Sequence, residues 1–174
     1  GLFASWRSTR STELRREDVL AWANDSIAAL QGLRLIAARG RMRIEPEEEE
    51  RRLTQLMFDT SILVERGRLF FRNASAGPYG RDKEPAYRGY RPEILDQLVV
   101  AHQIACQWQR AGAEERLRMG LVAEDVVRRF VSLVQAEVGR ERTASRDTRR
   151  GGQGAMQRAR MAELNAERVA AEGG

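Results

Sequence analysis

Apolar residues recur at intervals of three and four along four stretches of the chain, and Gly, Pro and charged residues separate the stretches. This period puts one stripe on one face of a helix, so each stretch predicts an amphipathic α-helix. The first covers 12–39, with Thr12 placed to cap it and Glu13, Glu17 and Asp18 in its early turns, where the helix dipole favours negative charge. Val19, Leu20, Ala23, Ile27, Leu30 and Arg34 form its stripe, with Trp22 alongside. Gly32 interrupts this stripe and Gly40 is the expected stop.

The second helix is predicted over 46–66. Pro46 suits a first helical position, where its missing N–H costs nothing. Glu47, Glu48, Glu49 and Glu50 follow in the first turn, and Glu47–Arg51 and Glu48–Arg52 are spaced to pair across a turn. This acidic run therefore has a structural explanation and is assigned no metal. Leu53, Leu56, Met57, Thr60, Leu63 and Val64 form the inward face, and Gly67 is expected to end the helix in a left-handed conformation. A third helix is predicted over 92–111, with Ile94, Leu95, Leu98, Val99, Ala101, Ala105 and Trp108 inward. A fourth is predicted over 113–139, with Leu117, Leu121, Val122, Val126, Phe130, Leu133, Val134 and Val138 inward. A tight turn at Gly112 makes these two an antiparallel hairpin. The fold class expected is all-α, a four-helix bundle-like domain over 12–139.

Residues 68–91 break the pattern. Pro, Gly, Asn and Asp forbid a regular helix there, yet Phe70, Phe71, Tyr79, Tyr87 and Tyr90 argue against plain disorder. Between 66 and 91 the basic residues Arg66, Arg68, Arg72, Arg81, Lys83, Arg88 and Arg91 outnumber Asp82 and Glu84, a surplus of five that equals the net charge of the whole chain. Two readings compete. In one, the phenylalanines enter the bundle and arginines stack on tyrosines lying over it, which holds a long connection in place. In the other, Arg68, Arg72, Tyr79, Arg81, Tyr87, Arg88, Tyr90 and Arg91 bind a ligand, gripping phosphates and stacking bases.

The ends differ from the middle. The chain opens GLFASWRSTR without an initiator Met, and the apolar scrap runs through Trp6 into Arg7 and Arg10. A Trp at an apolar-to-basic junction marks the cytoplasmic exit of a transmembrane helix. Residues 1–11 are thus read either as the stub of a membrane anchor or as a cloning scar with an ordinary disordered start. The anchor reading expects about 20 apolar residues encoded before Gly1. Residues 140–174 are polar, Arg-rich and Gly-broken, and predict a flexible basic tail with a terminal helix.

Composition narrows the chemistry. Lys83 is the only lysine among 30 basic residues, which reads first as a coding bias toward Arg and second as selection for phosphate or carboxylate contacts. Cys106 is the single cysteine, so no internal disulfide forms and a reducing, cytoplasmic location is expected. Cys106 lies four residues from His102, the only histidine, which is half of a zinc site at best. The pair reads as a core cysteine beside a core-edge histidine. The RGGQG stretch at 150–154 lacks the Lys and Ser/Thr of a phosphate loop, and the Asn73-Ala74-Ser75 glycosylation pattern matters only in a secretory lumen. No catalytic residue, metal or cofactor is assigned.

Two stretches, AYRGYRPEILDQLVVAHQIACQW at 86–108 and FVSLVQAEVGRERTAS at 130–145, resemble a group of uncharacterised bacterial helical proteins, some of which carry an N-terminal membrane segment. The resemblance covers less than half of the chain, brings no site residue with it, and favours the anchor reading. The leading functional expectation is a non-enzymatic bacterial interaction or scaffold domain on the cytoplasmic face of the inner membrane. Its expected partners are another protein, an anionic membrane surface, or a second copy of the chain. A nucleic-acid-binding module using 66–91 is the alternative, and an enzyme with an unrecognised carboxylate site is the third reading.

Overall fold

The computed structural model describes residues 2–38, 43–75, 77–139, 152, 161–163 and 166–173. Helices α1 (Leu2–Ala37), α2 (Pro46–Gly67), α3 (Glu93–Gln107) and α4 (Ala113–Val138) belong to one compact unit ending at Gly139. A second unit, Arg140–Gly174, contains the short helix α5 (Ala166–Glu172). Apart from residues 152, 161–163 and 173, the rest of the expected tail lies outside the described residues. Among the described residues the backbone has no strand, only an isolated bridge between Ala74 and Tyr90, so the fold is all-α as expected.

Each helix runs antiparallel to the next, in an up-down-up-down ring. Trp22 of α1 meets Leu63 of α2, Thr60 of α2 meets His102 of α3, Glu93 of α3 meets Arg129 of α4, and Arg34 of α1 meets Glu124 of α4. The largest fully buried side chains are Trp22, Trp108 and Phe130. Trp22 is the hub at one pole. Its Nε1 donates to the Leu63 carbonyl at 2.8 Å, and Phe71 and Phe130 both stand 5.5 Å from its ring. Each large buried side chain contributes roughly 1.5–3 kcal/mol by leaving water. At the opposite pole Trp108 donates to Glu49 at 2.8 Å, and Arg116 lies over its ring and donates to its carbonyl.

Four expectations are corrected. The first helix begins at Leu2, so Thr12 is no cap; its hydroxyl donates to the Ser8 carbonyl within the helix at 2.9 Å. Gly67 is not left-handed, for Arg68 continues in right-handed backbone after it; the positive-φ glycine that ends a helix is Gly139. Leu117, Leu121 and Val122 are exposed, because α4 turns Met119, Ala123, Val126, Phe130 and Val134 inward along a neighbouring stripe. Glu48, and not Glu47, pairs with Arg51, and it holds Arg52 as well. Gly40 lies outside the described residues.

Candidate functional site

Two features share the Trp22 pole. The first is the start of α1. Helix α1 passes the last turn of α4 near Arg15, whose guanidinium bonds Glu137 at 2.9 Å and the Phe70 carbonyl at 3.0 Å. Residues 2–14 continue beyond this clasp and are exposed on every side. At 1.5 Å per residue they project by about 20 Å. Around this overhang the apolar pattern changes sides. At about 100° per residue, Leu2, Phe3, Trp6 and Leu14 fall roughly opposite the core stripe of Val19, Trp22, Ser26, Leu30 and Leu33. The arc that continues the core stripe carries Ala4, Ser5, Ser8 and Thr12 instead. Leu2 is 89% exposed, Phe3 84% and Trp6 59%, and Arg10 lies over the Trp6 ring at 5.4 Å.

The second feature is the connection between α2 and α3. Phe70 and Phe71 pack on the core against Trp22. Beyond them the chain folds back on itself. Ala74 and Tyr90 exchange both backbone hydrogen bonds, at 2.7 and 2.8 Å, and Gly89 donates to the Tyr79 carbonyl. Gly89 has a φ of +80°, and a Cβ there would stand 2.1 Å from the Ala74 carbonyl oxygen, so this closure requires glycine.

The eight residues singled out by the sequence divide into two sets. Arg68, Tyr87 and Arg91 are held by neighbours. The Arg68 guanidinium lies 4.4 Å over the Tyr87 ring and bonds Glu65, and the Tyr87 hydroxyl donates to Glu65 at 2.6 Å. That hydrogen bond and the Glu65 charge hold the Tyr87 hydroxyl above the usual tyrosine range. Arg91 pairs with Asp96 at 3.0 Å, while its Nε is buried with no acceptor among the described residues. The second set is open. Tyr79 and Tyr90 stack on each other at 4.8 Å with their planes 15° apart, and both stay half-exposed. Arg72, Arg81 and Arg88 have no carboxylate within ion-pair distance among the described residues, and neither does Lys83, whose ammonium sits 5.7 Å from the Tyr79 ring. The tyrosines therefore cover the loop itself, and only the two phenylalanines reach the core.

Tyr79 and Gly89, with Asn73, form a ridge between two depressions. One, of about 720 Å³, is lined by Arg68, Lys83, Tyr87, Tyr90 and Arg91 and by the carboxylates of Glu84 and Asp96; the other, of about 310 Å³, is lined by Ser75, Arg81 and Arg88. The sequence did not reveal Glu65 as the residue that organises Arg68 and Tyr87, since that carboxylate belongs to the preceding helix and its reach shows only in three dimensions.

His102 and Cys106 lie at the α2–α3 seam. His102 Nδ1 stands 3.1 Å from the Met57 carbonyl, so it carries the proton and donates; Thr60, whose own hydroxyl donates to Leu56, accepts from it at 3.0 Å. The other ring nitrogen, Nε2, faces the Cys106 sulfur at 3.5 Å. This is a satisfied polar seam. Among the described residues no three His, Cys, Asp or Glu side chains gather to hold a metal ion, and no helix is long and apolar enough to cross a membrane.

No family model, curated protein or solved structure matches the chain.

Proposed function

We propose that the chain is a helical interaction or scaffold domain that stands at an anionic membrane surface on the first turns of α1. The observation that carries this reading is the switch of apolar side chains within α1. The bundle uses one face of the helix, and the overhang presents Leu2, Phe3 and Trp6 on the other, where the unit itself offers no covering surface. An aromatic residue flanked by arginines suits the boundary between acyl chains and headgroups. Arg7 and Arg10 then meet lipid phosphates, at about 1 kcal/mol for each basic residue near the surface. In this reading the membrane is the bacterial inner membrane and the bundle lies on its cytoplasmic side, displaying its helical faces to partner proteins.

The test uses the tryptophans. Trp22 and Trp108 are fully buried, so Trp6 is the one whose fluorescence responds to a surface. The full chain is mixed with vesicles of phosphatidylcholine alone or containing phosphatidylglycerol. Co-sedimentation and a blue shift with the anionic vesicles are expected, and Trp6→Ser abolishes the shift. Identical spectra with and without anionic vesicles at low salt overturn the proposal.

A further inference from the structure

We propose that the ridge between α2 and α3 binds single-stranded nucleic acid. One base lies on the Tyr79–Tyr90 pair, and the phosphates on either side of it fall in the two depressions. The inference starts from which groups the fold has already employed. Arg68 and Tyr87 are committed to Glu65, and Arg91 to Asp96; their role is to fix the loop. What remains is a flat, half-exposed aromatic pair whose Tyr79 stands between cations that lack carboxylate partners among the described residues: Lys83 on one side, Arg81 and Arg88 on the other, Arg88 giving its Nε–H to the Lys83 carbonyl at 2.8 Å. Stacking plus flanking positive charge is the chemistry that recognises an unpaired strand, since every base has a π-face and every link a phosphate. A duplex hides its base faces and cannot use the tyrosines. The smaller depression carries Arg81 and Arg88 and no carboxylate, and the larger carries Lys83 together with Glu84 and the Arg91–Asp96 pair. Cations on both sides of the Tyr79 ridge suit a repeating polymer better than a ligand with one phosphate. The surface is also prepared in advance. The Ala74–Tyr90 bridge and the tight closure at Gly89 fix both ends of the segment that carries Tyr79, so little ordering is left for binding.

The test is fluorescence anisotropy with the full chain and three probes: a labelled oligothymidylate, a labelled duplex of equal length, and thymidine monophosphate as competitor. The strand is expected to bind more tightly than the duplex, with affinity falling as salt rises. Tyr79→Leu and Tyr90→Leu, which keep apolar bulk, should each weaken strand binding about tenfold. Arg81→Gln and Lys83→Gln occupy different depressions. Each should lower the slope of log affinity against log salt by about 0.7, the value for one phosphate contact on a single strand. Circular dichroism checks that helicity is unchanged; if a tyrosine variant loses it, the two exposed charge variants still decide. Three results overturn the proposal: no binding of the strand at low salt; a duplex held as tightly as the strand with the tyrosine variants unaffected, which is attraction of any polyanion to Arg-rich segments such as 140–150; or thymidine monophosphate competing as well as the strand does, which is a one-phosphate site. Vesicle binding through Trp6 is read separately, so the two proposals stand or fall apart.

Discussion

Gly67 lies against the Trp22 indole so closely that a Cβ on it would stand 2.8 Å from Cζ2 of that ring, and 2.3 Å from a methyl of Leu95. The methyl can swing away. The indole cannot, because its Nε1 is tied to the Leu63 carbonyl one turn earlier and its faces are packed by Phe71 and Phe130. Gly67→Ala is therefore expected to destabilise the domain by about 1–2 kcal/mol, an overpacking cost of roughly 1–3 kcal/mol lessened by alanine's better helix propensity. Urea unfolding followed by circular dichroism measures it. In a Trp22→Phe background the ring is smaller and the same substitution should cost less; equal costs in the two backgrounds would show that the indole is not the obstacle.

The role of this glycine shows what the sequence could convey. A glycine at the end of an amphipathic stretch reads as a left-handed cap, and that signal is local. Its actual reason, the approach of a ring 45 positions earlier in the chain, is visible only after the helices pack. The same division holds elsewhere. The inward faces of α2 and α3 were legible because each has one apolar stripe. Helix α4 has two overlapping stripes, and the buried one is that which sets Gly120 against Ala37 and Phe130 against Trp22. The start of α1 was illegible as helix because Ser and Thr are fair helix residues that also cap, and the polar run read as a boundary. In the loop, composition pointed to the right residue types. Which of them are free for a ligand depended on Glu65 and Asp96, which belong to the flanking helices.

Acid should loosen the seam between α3 and α4. Arg129 forks onto Glu93 with bonds of 2.5 and 2.8 Å, and this pairing holds the Glu93 carboxyl below its usual value of 4.5. Glu48 is held low in the same way by Arg51 and Arg52. A carboxyl depressed in the folded state binds fewer protons there than in the unfolded chain. Its contribution is thus fully present above the unfolded value and disappears as pH falls through the folded one. The melting temperature is expected to drop as pH falls from about 5 toward 3, and Glu93→Gln should flatten part of that slope at low salt. An unchanged slope in Glu93→Gln would remove the pair from the account. Because both pairs are exposed, added salt should shrink the effect.

Gly89 separates the loop's order from the bundle's stability. A side chain at φ +80° is strained, and its Cβ would collide with the Ala74 carbonyl oxygen, so Gly89→Ala must open the Ala74–Tyr90 bridge. The phenylalanines that bind the loop to the core lie outside this closure, so the melting temperature should move by only a few degrees. Tyrosine order should suffer instead. In the NMR spectrum the ring signals of Tyr79 and Tyr90, shifted by mutual stacking in the parent, are expected to collapse toward free tyrosine. Retained ring shifts would mean that the stack holds without the bridge.

Hydrogen exchange should divide α1 near Arg15. A helix of about 13 residues with no tertiary contact is marginal in water, since cooperativity alone does not offset the cost of nucleation. The amides of 2–14 are therefore expected to exchange orders of magnitude faster than those of 19–37, although one helix carries both. The Arg15 guanidinium, bridging Phe70 and Glu137, is the last tie before the overhang, so Arg15→Ala should move the boundary inward by about one turn. Its cost to global stability should stay within about 1 kcal/mol because the pair is exposed. Anionic vesicles should slow exchange in 2–14 and leave 19–37 unchanged. Strong protection of 2–14 in the absence of vesicles, growing with protein concentration, would give the overhang a different partner, a second copy of the chain covering Phe3 and Trp6.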